Sequence, residues 1–248
     1  MESTSLLSDR AYVELHVVQS IDGKAKGNFW TKPKPSVRAG IYDYYSIIDE
    51  LNPDAFALGR VSMEDNCIPL PDLSKYKGRQ ISRQEDFVVP LEKDVKKYLV
   101  AYDSKGKLGY KSNVINSMEW LGDENQKKLC QIIEVVSECV SDEYLAYCKE
   151  MGISYIFAGK KEIDVGISLQ KLKKLFGINK LNLQGGPSLD GSFIRNDFID
   201  AISIIITPVT SEGGKTIFNP SKMMEFKLIK NRVLSKGNVW LYYKKAIE

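Results

Sequence analysis

The stretch Leu181-Asn182-Leu183-Gln184-Gly185-Gly186-Pro187-Ser188-Leu189 limits what this chain can fold into more than any other segment. An apolar, strand-like run from Lys180 to Leu183 meets a glycine pair. Pro187 and Ser188 then suit the first turn of a helix. Two glycines let the backbone approach a ligand that a Cβ would push away. A helix N-terminus just beyond supplies free N–H groups and the positive end of a dipole, which suits phosphate. The segment therefore predicts a strand–turn–helix unit and, with it, a nucleotide site on an α/β sheet. A tight strand-to-helix turn with no ligand fits the same residues, because a single glycine pair is a weak motif.

Elsewhere the hydrophobic spacing alternates between strand and helix. Strands are expected at Tyr12–Ser20, Ala55–Leu58, Tyr98–Tyr102, Gln131–Val136, Ser154–Ala158 and Ala201–Ile206, with two last strands near Phe226–Val233 and Val239–Tyr243. Helices are expected at Ser36–Leu51, with Ser36 as N-cap, at Asp142–Met151 ending at Gly152, and at Ser168–Phe176 ending at Gly177. Residues 66–90, with Pro69, Pro71 and Pro90, read as a long surface excursion. Alternating strands and helices predict an α/β fold with a mainly parallel central sheet and helices on both faces. The C-terminal hairpin adds an antiparallel edge. No linker or repeat divides residues 1–248, so a single domain is expected.

Composition narrows the function classes. A formal charge of +3 over 248 residues gives no reason to expect a nucleic-acid or membrane surface. Lys93, Lys96 and Lys97, and Lys171, Lys173 and Lys174, read as solvated helix faces. Cys67, Cys130, Cys139 and Cys148 form no C-x-x-C pair, and His16 is the one histidine, so neither a zinc site nor a catalytic triad is expected. His16 sits in an alternating apolar run and reads as a packed or rim residue. Residues 1–11 lack a signal-peptide core and no run reaches membrane-spanning length. A cytoplasmic protein with reduced cysteines is expected.

Ligands of such sheets bind beyond the carboxyl ends of the strands. Five expected strand ends carry small or polar groups: Ser20 to Gly23, Gly59 to Ser62, Asp103 to Gly106, Gly159-Lys160, and Gly185 to Ser188.

These strand ends, in this order, resemble the reductase domain of bacterial riboflavin biosynthesis proteins, the C-terminal domain of the bifunctional deaminase-reductase. The resemblance rests on Ser20-Ile21-Asp22-Gly23-Lys24, Asp54-Ala55-Phe56-Ala57-Leu58-Gly59-Arg60-Val61-Ser62, Ala101-Tyr102-Asp103-Ser104-Lys105-Gly106 and Gly185-Gly186-Pro187-Ser188-Leu189-Asp190-Gly191-Ser192-Phe193, followed by Phe198-Ile199-Asp200 and Thr207-Pro208-Val209. It covers nearly all of residues 11–245. It implies a three-layer α/β/α dihydrofolate reductase-like fold, NADPH as cofactor, and hydride transfer to a small pyrimidine- or pteridine-like substrate. It implies that Gly185, Gly186 and Pro187, with the N–H groups of Ser188 and Leu189, hold the pyrophosphate. Ser104 and Lys105 would contact the adenosine 2′-phosphate. Ser20, Gly23, Gly59, Arg60, Ser62, Gly159 and Lys160 would line the cofactor. Asp22 and Gln184 would be the catalytic pair, although the family often has Glu where this chain has Gln184. Trp30 and Arg38, with Lys32 and Lys34 nearby, are the substrate candidates. A homodimer is implied as well. A reductase of the same fold with another substrate, and a nucleotide-binding protein of that fold without turnover, remain alternatives.

Overall fold

A computed structural model describes residues 9–116, 129–216, 218, 220 and 222–246. Most of the N-terminal stretch read above for a signal peptide, residues 1–8, lies outside them. The strands are β1 (Tyr12–Ser20), β2 (Ala55–Gly59), β3 (Lys97–Tyr102), β4 (Val114–Asn116), β5 (Leu129–Val136), β6 (Ser154–Phe157), β7 (Lys180–Gly185), β8 (Ala201–Thr207), β9 (Phe226–Val233) and β10 (Val239–Lys245). The α-helices are α1 (Asn28–Thr31), α2 (Pro35–Leu51), α3 (Arg60–Met63), α4 (Asp142–Met151), α5 (Val165–Phe176) and α6 (Pro187–Arg195). The chain forms two compact units: one holds Asp54–Asn179 with the segment up to Ala11, the other Tyr12–Pro53 with Lys180–Glu248.

In the unit of Asp54–Asn179, β3 pairs in parallel with β2 on one side and with β5 on the other. The far edge of β5 is shared: β4 lies antiparallel beside its start and β6 parallel beside its end. Parallel strands covered on both faces should read as continuous apolar runs, and Leu99, Val100, Ala101, Ile132, Ile133 and Val135 are all buried. Helix α4 begins where Ser141 Oγ accepts the Tyr144 N–H and ends at Gly152 with φ 67°. It covers one face, because Tyr144 donates to Glu134 of β5 at 3.1 Å. Helix α5 covers the other, through the Tyr102–Ser168 hydroxyl contact at 3.0 Å and the Tyr98–Phe176 ring pair at 5.5 Å. The unit is thus three layers.

Helix α5 starts three residues earlier than its spacing suggests. Asp164 caps it by accepting the Ile167 N–H at 3.0 Å. Gly166 in the first turn hides the start, since glycine is a poor helix former. Lys171 on this helix is not a freely solvated lysine, for its ammonium holds Asp86 at 2.9 Å and the Phe157 carbonyl at 2.8 Å. The excursion before β3 is irregular, as its prolines require, yet it is tied down. Phe87 and Tyr155 exchange backbone hydrogen bonds at 2.9 Å, and Arg83 holds the Val140 carbonyl at 2.7 Å.

In the other unit, β1 lies between β7 and β8, parallel to both. Strand β10 runs antiparallel to β8 and β9 antiparallel to β10, which forms the C-terminal hairpin edge. The even-numbered side chains of β1 face α2, and the His16 ring stacks on Tyr44 at 4.1 Å. Val18, Ile47, Ala201, Ile205, Trp240 and Tyr242 form the core on that face. Burial of Val18, Ile47 and Ile205 contributes about 1.5–3 kcal/mol each. Helix α6 covers the opposite face, where Asp190 packs on the Gly185 backbone. Ser36 is not the N-cap of α2. Lys34 takes the extended cap position and Pro35 the first turn, with no side-chain cap bond. Proline lacks the N–H that a cap would have to satisfy, so the serine signal fell inside the helix.

Candidate functional site

Parallel strands end on a common edge, and in the unit of β1, β7 and β8 that edge carries three turns. The turn after β7 is the most constrained. Gly186 has φ 106° and ψ 146°, a region essentially restricted to glycine. Pro187 follows as the first helical residue and brings no N–H. Helix geometry leaves the Ser188 and Leu189 N–H groups without intrahelical acceptors, while the Asp190 N–H already reaches the Gly186 carbonyl at 3.1 Å. Ser188 is exposed and Leu189 half-buried. Two donors at the positive end of a nine-residue helix, behind a residue without Cβ, fit a phosphate.

Gly185 is required for a different reason. A Cβ there would lie 1.8 Å from Asp190 Oδ1. The Asp190 carboxyl is 3% exposed and accepts a backbone hydrogen bond from Gly186, and its Oδ1 is unpartnered. Burial pushes its pKa up to about 7, against the Gly186 hydrogen bond that favours the anion. The sequence reading did not single out Asp190. Its position three residues into a helix that starts after a glycine pair was the available signal.

After β1, Ser20 is fully buried and its hydroxyl donates to Asp22 Oδ1 at 2.6 Å and accepts from the Lys24 N–H at 3.0 Å. Gly23 has φ 79°. The same Asp22 oxygen accepts the Ser211 N–H at 3.1 Å. The Ser20 hydroxyl foremost holds the Asp22 carboxyl below the usual range, and within this turn the carboxylate accepts from both Ser20 and Ser211.

Gln184, the last side chain of β7 before the glycine pair, is half-buried. Its Nε2 donates to Asn182 Oδ1 at 3.0 Å. Asn182, fully buried, donates from Nδ2 to Glu14 Oε1 at 3.4 Å. Glu14 Oε2 meets Lys180 Nζ at 3.1 Å and accepts from the Tyr242 hydroxyl at 2.9 Å. Asn182 was also unassigned by the sequence reading, because a polar residue in an apolar run says nothing about what lies on the neighbouring strand.

His16 is packed, as its pattern suggested. Its Nε2 lies 3.1 Å from the Tyr44 carbonyl, and its Nδ1 lies 3.3 Å from the Ser203 carbonyl. Nδ1 also meets the Ser203 hydroxyl at 2.8 Å, and Ser203 Oγ accepts the Trp240 N–H at 2.8 Å. Burial pushes the pKa down to about 4, so the ring is neutral and held. Trp30 is half-buried. Its Nε1 donates to the Ala25 carbonyl at 2.8 Å and its ring packs against the Val18–Trp240 core, which leaves part of the ring for structure alone. Arg38 is exposed, with Nε donating to the Pro33 carbonyl at 3.4 Å, and Lys32 and Lys34 are exposed beside it.

The other unit presents its own carboxyl edge. Gly59 is the extended N-cap of α3, followed by Arg60 and a half-buried Ser62. Arg60 pairs with Glu64 one helical turn on. After β3, the buried Asp103 carboxylate accepts the Leu108 N–H at 2.9 Å and also that of Lys107, which closes the turn. The Ser104 carbonyl accepts the Ser137 hydroxyl at 2.8 Å, and Lys105 projects from the turn, exposed. Gly159 has φ 107°, and a Cβ there would lie 2.3 Å from the Glu162 carbonyl. The chain's own turn therefore demands this glycine. Lys160 is exposed and its carbonyl accepts from Cys139 Sγ at 3.2 Å. No group of three or more metal-binding side chains occurs among the described residues. No helix among them is long and apolar enough to cross a membrane.

The RibD C-terminal domain family matches residues 103–242, more than half of the chain. The chain belongs to that family. A curated relative, the 2,5-diamino-6-ribosylamino-4(3H)-pyrimidinone 5′-phosphate reductase of Aquifex aeolicus, is 32% identical over 107 residues, 43% of this chain and 46% of the relative. The match thus spans about half the length of that relative. Among solved structures, RibD of Acinetobacter baumannii aligns with a TM-score of 0.60 and 16% identity over 96% of this chain and 59% of its own. The riboflavin biosynthesis reductase Rib7 of Saccharomyces cerevisiae aligns at 0.60 and 18% identity over 96% of this chain and 90% of its own. A pyrimidine reductase-like protein of Corynebacterium diphtheriae aligns at 0.62 and 16% identity over 98% and 94%. The family and its fold of a mostly parallel sheet with antiparallel strands agree with the expectation from the strand-end motifs.

Proposed function

We propose that this chain is an NADPH-dependent reductase that transfers hydride to a ribosylamino-pyrimidine phosphate. The observation that carries the reading is the Gly186 turn: a glycine-only backbone and two open N–H donors at the start of α6, in a member of the RibD C-terminal domain family. NADPH would supply the hydride. The Ser188 and Leu189 N–H groups would hold its pyrophosphate. Ser104 and Lys105 supply a hydroxyl and an exposed ammonium suited to a dianionic 2′-phosphate. Asp22, tied to Ser20 and Ser211, holds the turn after β1 in one shape. Gln184 cannot titrate, so its part is to orient the substrate by hydrogen bonding. The protein acts through the chain's own cytoplasmic, homodimeric form in this reading.

The test is an NADPH oxidation assay with two substrates, the diamino-pyrimidinone and the amino-uracil ribosylamino phosphates, run beside complementation of a strain lacking the riboflavin-pathway reductase. Turnover of either compound supports the reading. NADPH binding without turnover of any member of a wider carbonyl and imine panel would instead identify a nucleotide-binding protein of this fold. Gln184, in place of the family's usual carboxylate, is the feature that favours this second reading.

A further inference from the structure

The polar side chains on one face of β7 and β1 form a line whose direction is set at one end. Lys180 is a cation and Glu14, fully buried, receives both its ammonium at 3.1 Å and the Tyr242 hydroxyl at 2.9 Å. A carboxylate so placed only accepts. Asn182 must therefore turn its NH₂ toward Glu14, and does so at 3.4 Å. That orientation puts the Asn182 oxygen on the other side, where it accepts the Gln184 NH₂ at 3.0 Å. Each amide passes the polarity on to the next. At the carboxyl end of β7, one residue before the glycine pair, the group left over is Gln184 Oε1, an acceptor.

We propose that Asn182, oriented by the buried Glu14 and its ion-pair partner Lys180, is a positioning residue that locks the Gln184 amide with its nitrogen held back and its oxygen free, so that this position takes an N–H donor on the ligand heterocycle and not a carbonyl. The ligand half of this inference rests on the reductase reading above; the locking of the amide does not. The line also accounts for glutamine at position 184. A carboxylate there would face the Asn182 oxygen with Glu14 behind it, acceptor against acceptor at a half-buried position, and such a group is costly unless it is protonated or Asn182 turns over.

The experiment is a double-mutant cycle on the full chain, with Asn182→Ala, Gln184→Ala and the pair. Steady-state kinetics use NADPH and whichever ribosylamino-pyrimidine phosphate the parent reduces. Each single change should raise KM for the pyrimidine about tenfold, the scale of one hydrogen bond to a ligand, with NADPH affinity unchanged. The pair should be no worse than Gln184→Ala alone, because Asn182 acts only through Gln184. Independent multiplying losses of about a hundredfold, or an unchanged KM in Asn182→Ala, would overturn the proposal. The side-chain NH₂ signals of Gln184, assigned by their disappearance in Gln184→Ala, give a readout free of turnover. In the parent they should exchange slowly with solvent, and in Asn182→Ala they should exchange faster and collapse toward free-amide positions. Unchanged signals refute the locking. A parent that reduces and binds neither pyrimidine refutes the reductase reading and the ligand half with it, while the NMR result still decides the role of Asn182. Gln184→Glu should gain a pH-dependent KM, and Asn182→Ala in that background should reduce the dependence; a Gln184→Glu profile as flat as the parent's counts against the polarity argument.

Discussion

Replacing Asp190 by asparagine should change how stability depends on pH, and the structure gives the sign and size. A carboxyl in the first turn of a helix is ordinarily favoured as the anion by roughly 0.3–1 kcal/mol through the helix dipole. At Asp190 burial outweighs this: the carboxyl is 3% exposed with Oδ1 unpartnered, and the pKa rises from 3.8 to about 7. The folded state therefore binds a proton more tightly than the unfolded chain between those values. Stability is fully present below about pH 4 and is lost as pH rises toward about 7, with no further change above. At 1.36 kcal/mol for each pH unit, the loss totals about 4 kcal/mol. Asparagine cannot titrate, so that slope should vanish from Asp190→Asn. The amide leaves a buried N–H where Oδ1 now lies, a cost of about 1–3 kcal/mol that does not vary with pH. The absolute offset between the two proteins is thus less informative than their divergence with pH. Guanidinium unfolding at a series of pH values, followed by the fluorescence of Trp30 and Trp240 in the same unit, measures it. Curves for the parent and Asp190→Asn that run parallel from pH 4 to pH 8 would refute the burial argument.

Three further outcomes are expected. Gly186→Val should abolish dinucleotide binding, since a side chain at φ 106° is strained by roughly 1–3 kcal/mol and fills the space before the Ser188 and Leu189 donors; a folded Gly186→Val protein with unchanged NADPH affinity in a fluorescence titration would remove the phosphate role of this turn. Lys105→Ala should weaken NADPH by about 1 kcal/mol, the scale for an exposed charge pair, and leave NADH unaffected; equal effects on both cofactors by calorimetry would take Lys105 out of the 2′-phosphate contact. Arg38→Ala should raise KM for a phosphorylated pyrimidine while the NADPH Kd stays constant, and unaltered kinetics would make Arg38 a surface charge.

The sequence by itself determined the longer elements and their class. Tyr12–Ser20 and Asp142–Met151 are where their periodicity put them, because an amphipathic or fully apolar run has few ways to hide from water. The glycine pair announced a strand–turn–helix unit for the same kind of reason: φ 106° at Gly186 admits almost no other residue. Local signals failed where a neighbour in space supplied the partner. Val114–Asn116 forms a strand because β5 offers it an open edge, not because three residues have a pattern. Only tertiary structure decided that Asp190 folds back on Gly185, that Asp22 is bound to Ser20 and Ser211, and that Asn182 and Glu14 stand behind Gln184. Glu14 and Asn182 are 168 residues apart and adjacent on paired strands. Strand order is set by the burial of whole faces, so which polar side chains meet along those faces is a property of the packed sheet and not of any stretch of chain.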